Sequence, residues 1–254
     1  MTLSSPMPAD PLSGVPAAGL RAMLAAGEEV AAMQSVFART GDNLVGEVLR
    51  DAGAFLEWAH YPDGDICDPE SHSQYYYHAH PPEERWEGEH GHFHLFLRGP
   101  GIPVGLAPAP GQELPDRADM LTHLVGIAMD AYGLPIRLFT VNRWVTGDTW
   151  FAAPDAARLV DRFRVDIARP NLAVNRWMTA LVRFYGPQIA SLLATRDEVL
   201  ADWAATHPGV EIYEDRRLAV VSSLPIAIDA DLEGLRNRIA GTTPSPAGSS
   251  AADG

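Results

Sequence analysis

Apolar residues recur at helical spacing along much of the chain. From Pro16, the positions Leu20, Met23, Leu24, Val30, Met33 and Phe37 form one stripe, which predicts a helix broken or kinked near Gly27. Asp42 or Asn43 is placed to cap a second helix whose stripe is Leu44, Val45, Val48, Leu49, Ala52, Phe55, Leu56 and Ala59, ending at His60-Tyr61-Pro62. Asp116 opens a third, carrying Met120, Leu121, Leu124, Val125, Ala128 and Met129 and stopped by Gly133 and Pro135. Further helices are expected from Asp155, over Leu172 to Tyr185, from Pro187 to His207, and after Asp229 or Asp231. The stretch 63–70, with its Asp-Gly and Asp-Pro pairs, reads as an acidic loop.

Alternation with period two marks the strands. It appears at about 74–80, at 91–98 and over 136–145, and Val210–Tyr213 with Leu218–Ser223 reads as a further hairpin. Helices outnumber strands, and the strands come in hairpins rather than βαβ units. The expectation is an α+β protein in which an antiparallel sheet containing a His-rich hairpin is packed by several helices. Residues 1–15 are expected to be a loose arm, 16–240 a single domain, and 241–254 a disordered tail with nothing to bury.

The candidate chemistry lies in Ser73 to Arg98, which holds His78, His80, His90, His92 and His94. Residues two apart on a strand share a face, so His78 projects with His80, and His90 with His92 and His94. Tyr75, Tyr77, Phe93, Leu95 and Leu97 then take the other face. Apposed in a hairpin, the imidazoles can share an ion, because histidine is the commonest metal ligand and needs no special loop geometry here. The metal candidates are His78, His80, His92 and His94. Glu84 or Glu89, with Asp65 and Glu70 as further sources, would add a carboxylate or act as general base. The loop 81–89 forms a lip over the site. His123, beside the apolar stripe of its predicted helix, is a further acid–base candidate, and Asn142 with Arg143 a candidate pair for a substrate carboxylate. The alternative is a polar, hydrogen-bonded sheet face without an ion.

Composition narrows the rest. Acids number 33 against 19 bases, for a net charge of −14, which repels nucleic acid and anionic membrane. No lysine is present, which excludes Schiff-base chemistry, lysine-anchored pyridoxal phosphate and the P-loop lysine. Cys67 stands alone, so no internal disulfide or thiolate zinc site forms, and catalysis by this thiol is a minor expectation. No basic region followed by an apolar run opens the chain, and a cytoplasmic location is expected. GxSxG and GxGxxG are absent.

Two resemblances arise. His78-Ala-His80, three residues, Glu84, six residues and Gly91 resemble the tail of the first cupin motif, which implies metal held in a small β-barrel. His72 stands where that motif has glycine, and Pro108 where the second motif has its histidine, so the chain is not read as a cupin. More broadly, YPDGDICDPESHSQYYYHAHP, EHGHFHLFLR and LFTVNRWVTGDTW resemble an uncharacterised bacterial, histidine-rich domain family. That resemblance covers most of the chain and implies no reaction. Taken together, the residues point to a metal-dependent enzyme, an oxygenase or hydrolase acting on a small molecule with iron or zinc. The alternative is a noncatalytic metal-binding or protein-interaction domain.

Overall fold

The sheet is laid down as a meander. In the computed structural model, which describes residues 10–242, β1 (Tyr61–Cys67), β2 (Ser73–His78), β3 (Glu89–Arg98), β4 (Leu121–Asp130), β5 (Pro135–Val141) and β6 (Val220–Pro225) lie side by side in chain order. Every neighbouring pair is antiparallel. Around them run α1 (Ala17–Ala38), α2 (Leu44–Leu49), α3 (Arg143–Thr146), α4 (Ala153–Val160), α5 (Leu172–Phe184), α6 (Gly186–Thr206) and α7 (Ile228–Thr242). The α+β class and the histidine hairpin β2–β3 are therefore as the sequence implies. Most of the expected arm and tail, residues 1–9 and 243–254, lie outside the described residues.

Several elements differ from the periodicity reading. The stretch expected as a helix from Asp116 is β4, buried from Thr122 to Met129. A strand covered on both faces is apolar at nearly every position, and such a run also satisfies helical spacing. The acidic loop contains an edge strand, β1, whose pairing with β2 is irregular between Tyr61 and Ile66. Gly64 and Asp65 occupy the left-handed region there, with φ of 75° and 53°, and bulge the edge. The second helix stops at Leu49, well short of Ala59. α1 is continuous through Gly27 because that glycine is where other helices cross. A Cβ there would stand 2.6 Å from Leu232 of α7 and 2.9 Å from Phe184 of α5. The proposed hairpin at 210–223 is instead a 3-10 turn, Ile212–Glu214, followed by β6, which pairs with β5.

The sheet has two different faces. Tyr75, Tyr77, Phe93, Leu95 and Leu97 join Val125, Ile127 and Leu138 in the main core with Val30, Trp177, Met178 and Leu181 of the helices. One polar tie crosses this interface: the Tyr75 hydroxyl donates to Asn175 Oδ1 at 2.6 Å. Asn175 in turn donates Nδ2 to the carbonyls of Ile167 and Arg169, so both groups of this tie are matched, whereas the buried Trp177 Nε1–H of the same core has no hydrogen-bond partner among the described residues. The opposite face carries the histidines, with a small cluster of Ala128, Phe139 and Val141 packed by Trp86 and Val145. Among the described residues no helix is long and apolar enough to cross a membrane.

Candidate metal centre

Strand register brings the imidazoles together. His78 and His92 are direct cross-strand partners, while His94 lies opposite Tyr76 on β2 and Gly126 on β4. His90 does not join them. The register shifts between Glu89 and Gly91, and this bulge moves His90 out of phase with His92. Its Nδ1 pairs with the Tyr77 hydroxyl at 2.7 Å, on the other side of the sheet. Gly91 permits the bulge, since a Cβ there would stand 2.5 Å from the His78 carbonyl oxygen.

His78, His92 and His94 are buried, and one ligand nitrogen from each falls within 4.8 Å of the others, a spacing that can hold a single ion. His78 Nε2 and His92 Nε2 are 2.7 Å apart. Behind them stands a second layer of partners. The buried carboxylate of Glu89 takes His92 Nδ1 at 2.5 Å with Oε1 and the backbone N–H of Trp86 at 3.1 Å with Oε2. With its Nδ1–H held by Glu89, His92 presents Nε2 as a lone pair, and His78 Nε2–H donates to it. His94 Nδ1 meets His123 Nε2 at 3.0 Å, which leaves His94 Nε2 free to ligate. His123 comes from β4, opposite Phe96 at a register shift, and its backbone N–H donates to Asp148 Oδ2 at 3.0 Å.

Burial sets the charge state. Desolvation first, then repulsion from neighbouring imidazoles, holds His78 down to about 2 and His80 to about 4. His123 falls to about 3 through burial and then the Arg196 charge, and His94 lies well below its ordinary value through burial. These rings are neutral at pH 7, the form in which imidazole ligates. Small residues on β4 give the site its floor. At Gly126 a Cβ would meet the Phe139 ring at 2.2 Å, so glycine seats that ring beside His92 and His94, at 5.2 and 5.7 Å between centroids.

Other candidates fall at the rim or elsewhere. β2 ends at His78, and His80 lies just beyond it, its ring 5.0 Å from that of His78 and its Nδ1 3.4 Å from Glu84. Asp65 takes His60 Nδ1 at 3.1 Å and Gln74 Nε2 at 2.7 Å. Glu70 pairs with Arg164 on the surface. Asn142 caps α3 and donates to the Ile212 carbonyl, and Arg143 is paired with Glu214. Burial raises the pKa of the Cys67 thiol, which is opposite to what a nucleophile needs.

Periodicity missed three neighbours of the site. His60 stacks on Tyr76 at 3.6 Å and stands 5.8 Å from His78. Tyr76 shares the histidine face and touches both His78 and His94 at 5.4 Å. Trp58 lies 4.2 Å from the ring of His80. Trp58 and His60 were hidden in an assumed helix, whereas the parity of Tyr76 with His78 was a usable signal.

The molecule is thus an antiparallel α+β protein with a buried histidine triad that can accept a metal ion. It belongs to a family described as a domain of unknown function (DUF6969), whose model matches residues 24–226, well over half of the chain. Comparison with curated proteins and with solved structures finds no match.

Proposed function

We propose that the protein is a metal-dependent hydrolase of a small molecule, with one divalent transition metal, zinc foremost, held by His78, His92 and His94. The observation that carries this reading is the Glu89–His92 contact of 2.5 Å. A carboxylate on the far nitrogen of a histidine fixes its tautomer and strengthens it as a ligand, the arrangement found behind ligating histidines in general. Glu89 used in this way is not the third ligand of a two-histidine, one-carboxylate site, so zinc is favoured over iron and hydrolysis over oxygenation. His78, His92 and His94 would hold the ion, and zinc bound there would supply a water acidic enough to serve as a nucleophile near neutral pH. His123 plays for His94 the part that Glu89 plays for His92. Both are positioning residues.

Cobalt(II) substitution tests the reading. Uptake of one ion with the intense visible bands of a four-coordinate site, shifted by added acetohydroxamate, is the expected result. A four-coordinate spectrum that no added ligand shifts would assign a closed, structural site, and absence of uptake would remove the metal altogether.

A further inference from the structure

Three large apolar side chains of one segment stand in solvent, and one of them, Trp58, lies against the histidines of the site. Between α2 and β1, Phe55, Leu56 and Trp58 are 38%, 61% and 54% exposed. The segment is tied down where they project. The Tyr61 hydroxyl accepts the Leu56 N–H at 2.6 Å and donates to the Ala54 carbonyl at 3.1 Å, and the Trp58 N–H donates to the Ala79 carbonyl at 2.9 Å. Trp58 sits at φ 67°, a left-handed conformation uncommon for a bulky residue and maintained only where the surroundings enforce it. It places the indole over His80 and 6.5 Å from His78. Phe55 faces elsewhere, stacking at 5.2 Å on His90 on the other side of the sheet.

A large apolar side chain exposed at the edge of a site is a place where a ligand can be received. The inner surroundings continue the same chemistry, since Tyr76, Phe96 and Phe139 lie 5.4, 6.2 and 5.7 Å from the ring of His94. The charged groups at the rim are already paired, Glu84 with His80, Asp65 with His60, and Arg85 with Glu57 and the His80 carbonyl, which makes an uncharged ligand the better fit.

Building on the metal-dependent reading above, we infer that Trp58 forms the apolar wall that contacts substrate. The substrate is then an uncharged organic molecule with an aromatic or similarly flat apolar group next to the group that meets the ion. Trp58 is the main specificity determinant, because its indole is nearest the histidines and presents an open edge to solvent.

The test uses zinc-loaded full-length protein titrated calorimetrically with benzohydroxamate and acetohydroxamate, which share a metal-binding group and differ in phenyl against methyl. The wild type is expected to bind benzohydroxamate about tenfold more tightly, a reasonable gain for burying one ring on an indole. In Trp58→Ala that preference should fall to about twofold or less, with zinc content unchanged, while Trp58→Phe retains most of it. Equal affinities in the wild type, or a preference that survives in Trp58→Ala, would overturn the wall. So would zinc-loaded protein that binds neither compound, an outcome that leaves the metal centre standing. Protein that takes up no zinc removes the centre itself, and the wall with it.

Discussion

Glu89 and His92 are three residues apart in sequence, yet the bulge between them sets the Glu89 carboxylate 2.5 Å from His92 Nδ1, with both side chains buried. A buried carboxylate must be matched by donors, and here the imidazole N–H and the Trp86 N–H supply them. Glu89→Gln keeps the shape but removes the charge and the clean acceptor. The expected outcome is a loss of zinc affinity of about 10- to 100-fold with little change in fold, measured by competition against a chelator. Undiminished affinity would mean that Glu89 does not orient a ligand.

Substituting His123 tests the other support in the same way. His123→Phe, which preserves ring volume beside Phe96, should lower metal affinity by about tenfold while leaving His78 and His92 in place. Metal affinity abolished outright would instead make His123 a ligand, and would revise the triad.

What the sequence disclosed follows from how each residue is held. Parity groups His78 with His80 and His90 with His92 and His94, because side-chain direction in a regular strand is fixed, and the β2–β3 register then brings His78 and His92 together. Parity could not place His90, since a bulge breaks parity and is set by the packing of Tyr77 and Gly91. His123 was noticed for the wrong reason. Its run, Leu121–Asp130, is apolar on both faces, and only its central place in the sheet makes it a strand. Phe55, Leu56 and Ala59 match a helical stripe by spacing, but the segment leaves the helix after Leu49, packs Ala59 on the main core and brings Trp58 to the site's edge. The α+β class survived these errors because the hairpin β2–β3 and the helices α1, α5 and α6 are regular and amphipathic or buried in bulk.

Gly126 offers a packing test independent of any metal. Gly126→Ala drives a Cβ into the Phe139 ring, at 2.2 Å before relaxation. Overpacking of this kind costs about 1–3 kcal/mol, so the midpoint of urea unfolding should fall. Adding Phe139→Leu should recover part of the loss. If Gly126→Ala is neutral, the ring is not seated on the glycine.

Acid should destabilise the metal-free protein earlier than its carboxylates alone would require. His78, His94 and His123 are neutral in the fold at pH 7, with pKa values driven below the ordinary 6.5 by burial. At pH 7.5 neither the folded nor the unfolded chain protonates them appreciably. Below 6.5 the unfolded chain takes up protons that the folded chain refuses. Stability therefore falls as pH drops from about 6.5 toward 4, by up to about 1.4 kcal/mol per pH unit for each such group. Melting temperatures measured in chelator between pH 7.5 and 5 should decline steadily, and less steeply in His123→Phe. A flat profile would show that these rings are solvated.

His78, His92 and His94 are proposed to hold one metal ion. Elemental analysis of tag-free protein, purified without chelator and then reconstituted with zinc, tests it most directly beside His78→Ala/His92→Ala treated identically. One equivalent in the wild type and almost none in the variant is the result this account predicts. Wild type that remains unloaded with zinc, iron, manganese or copper, or a variant that loads as fully as the wild type, would contradict it.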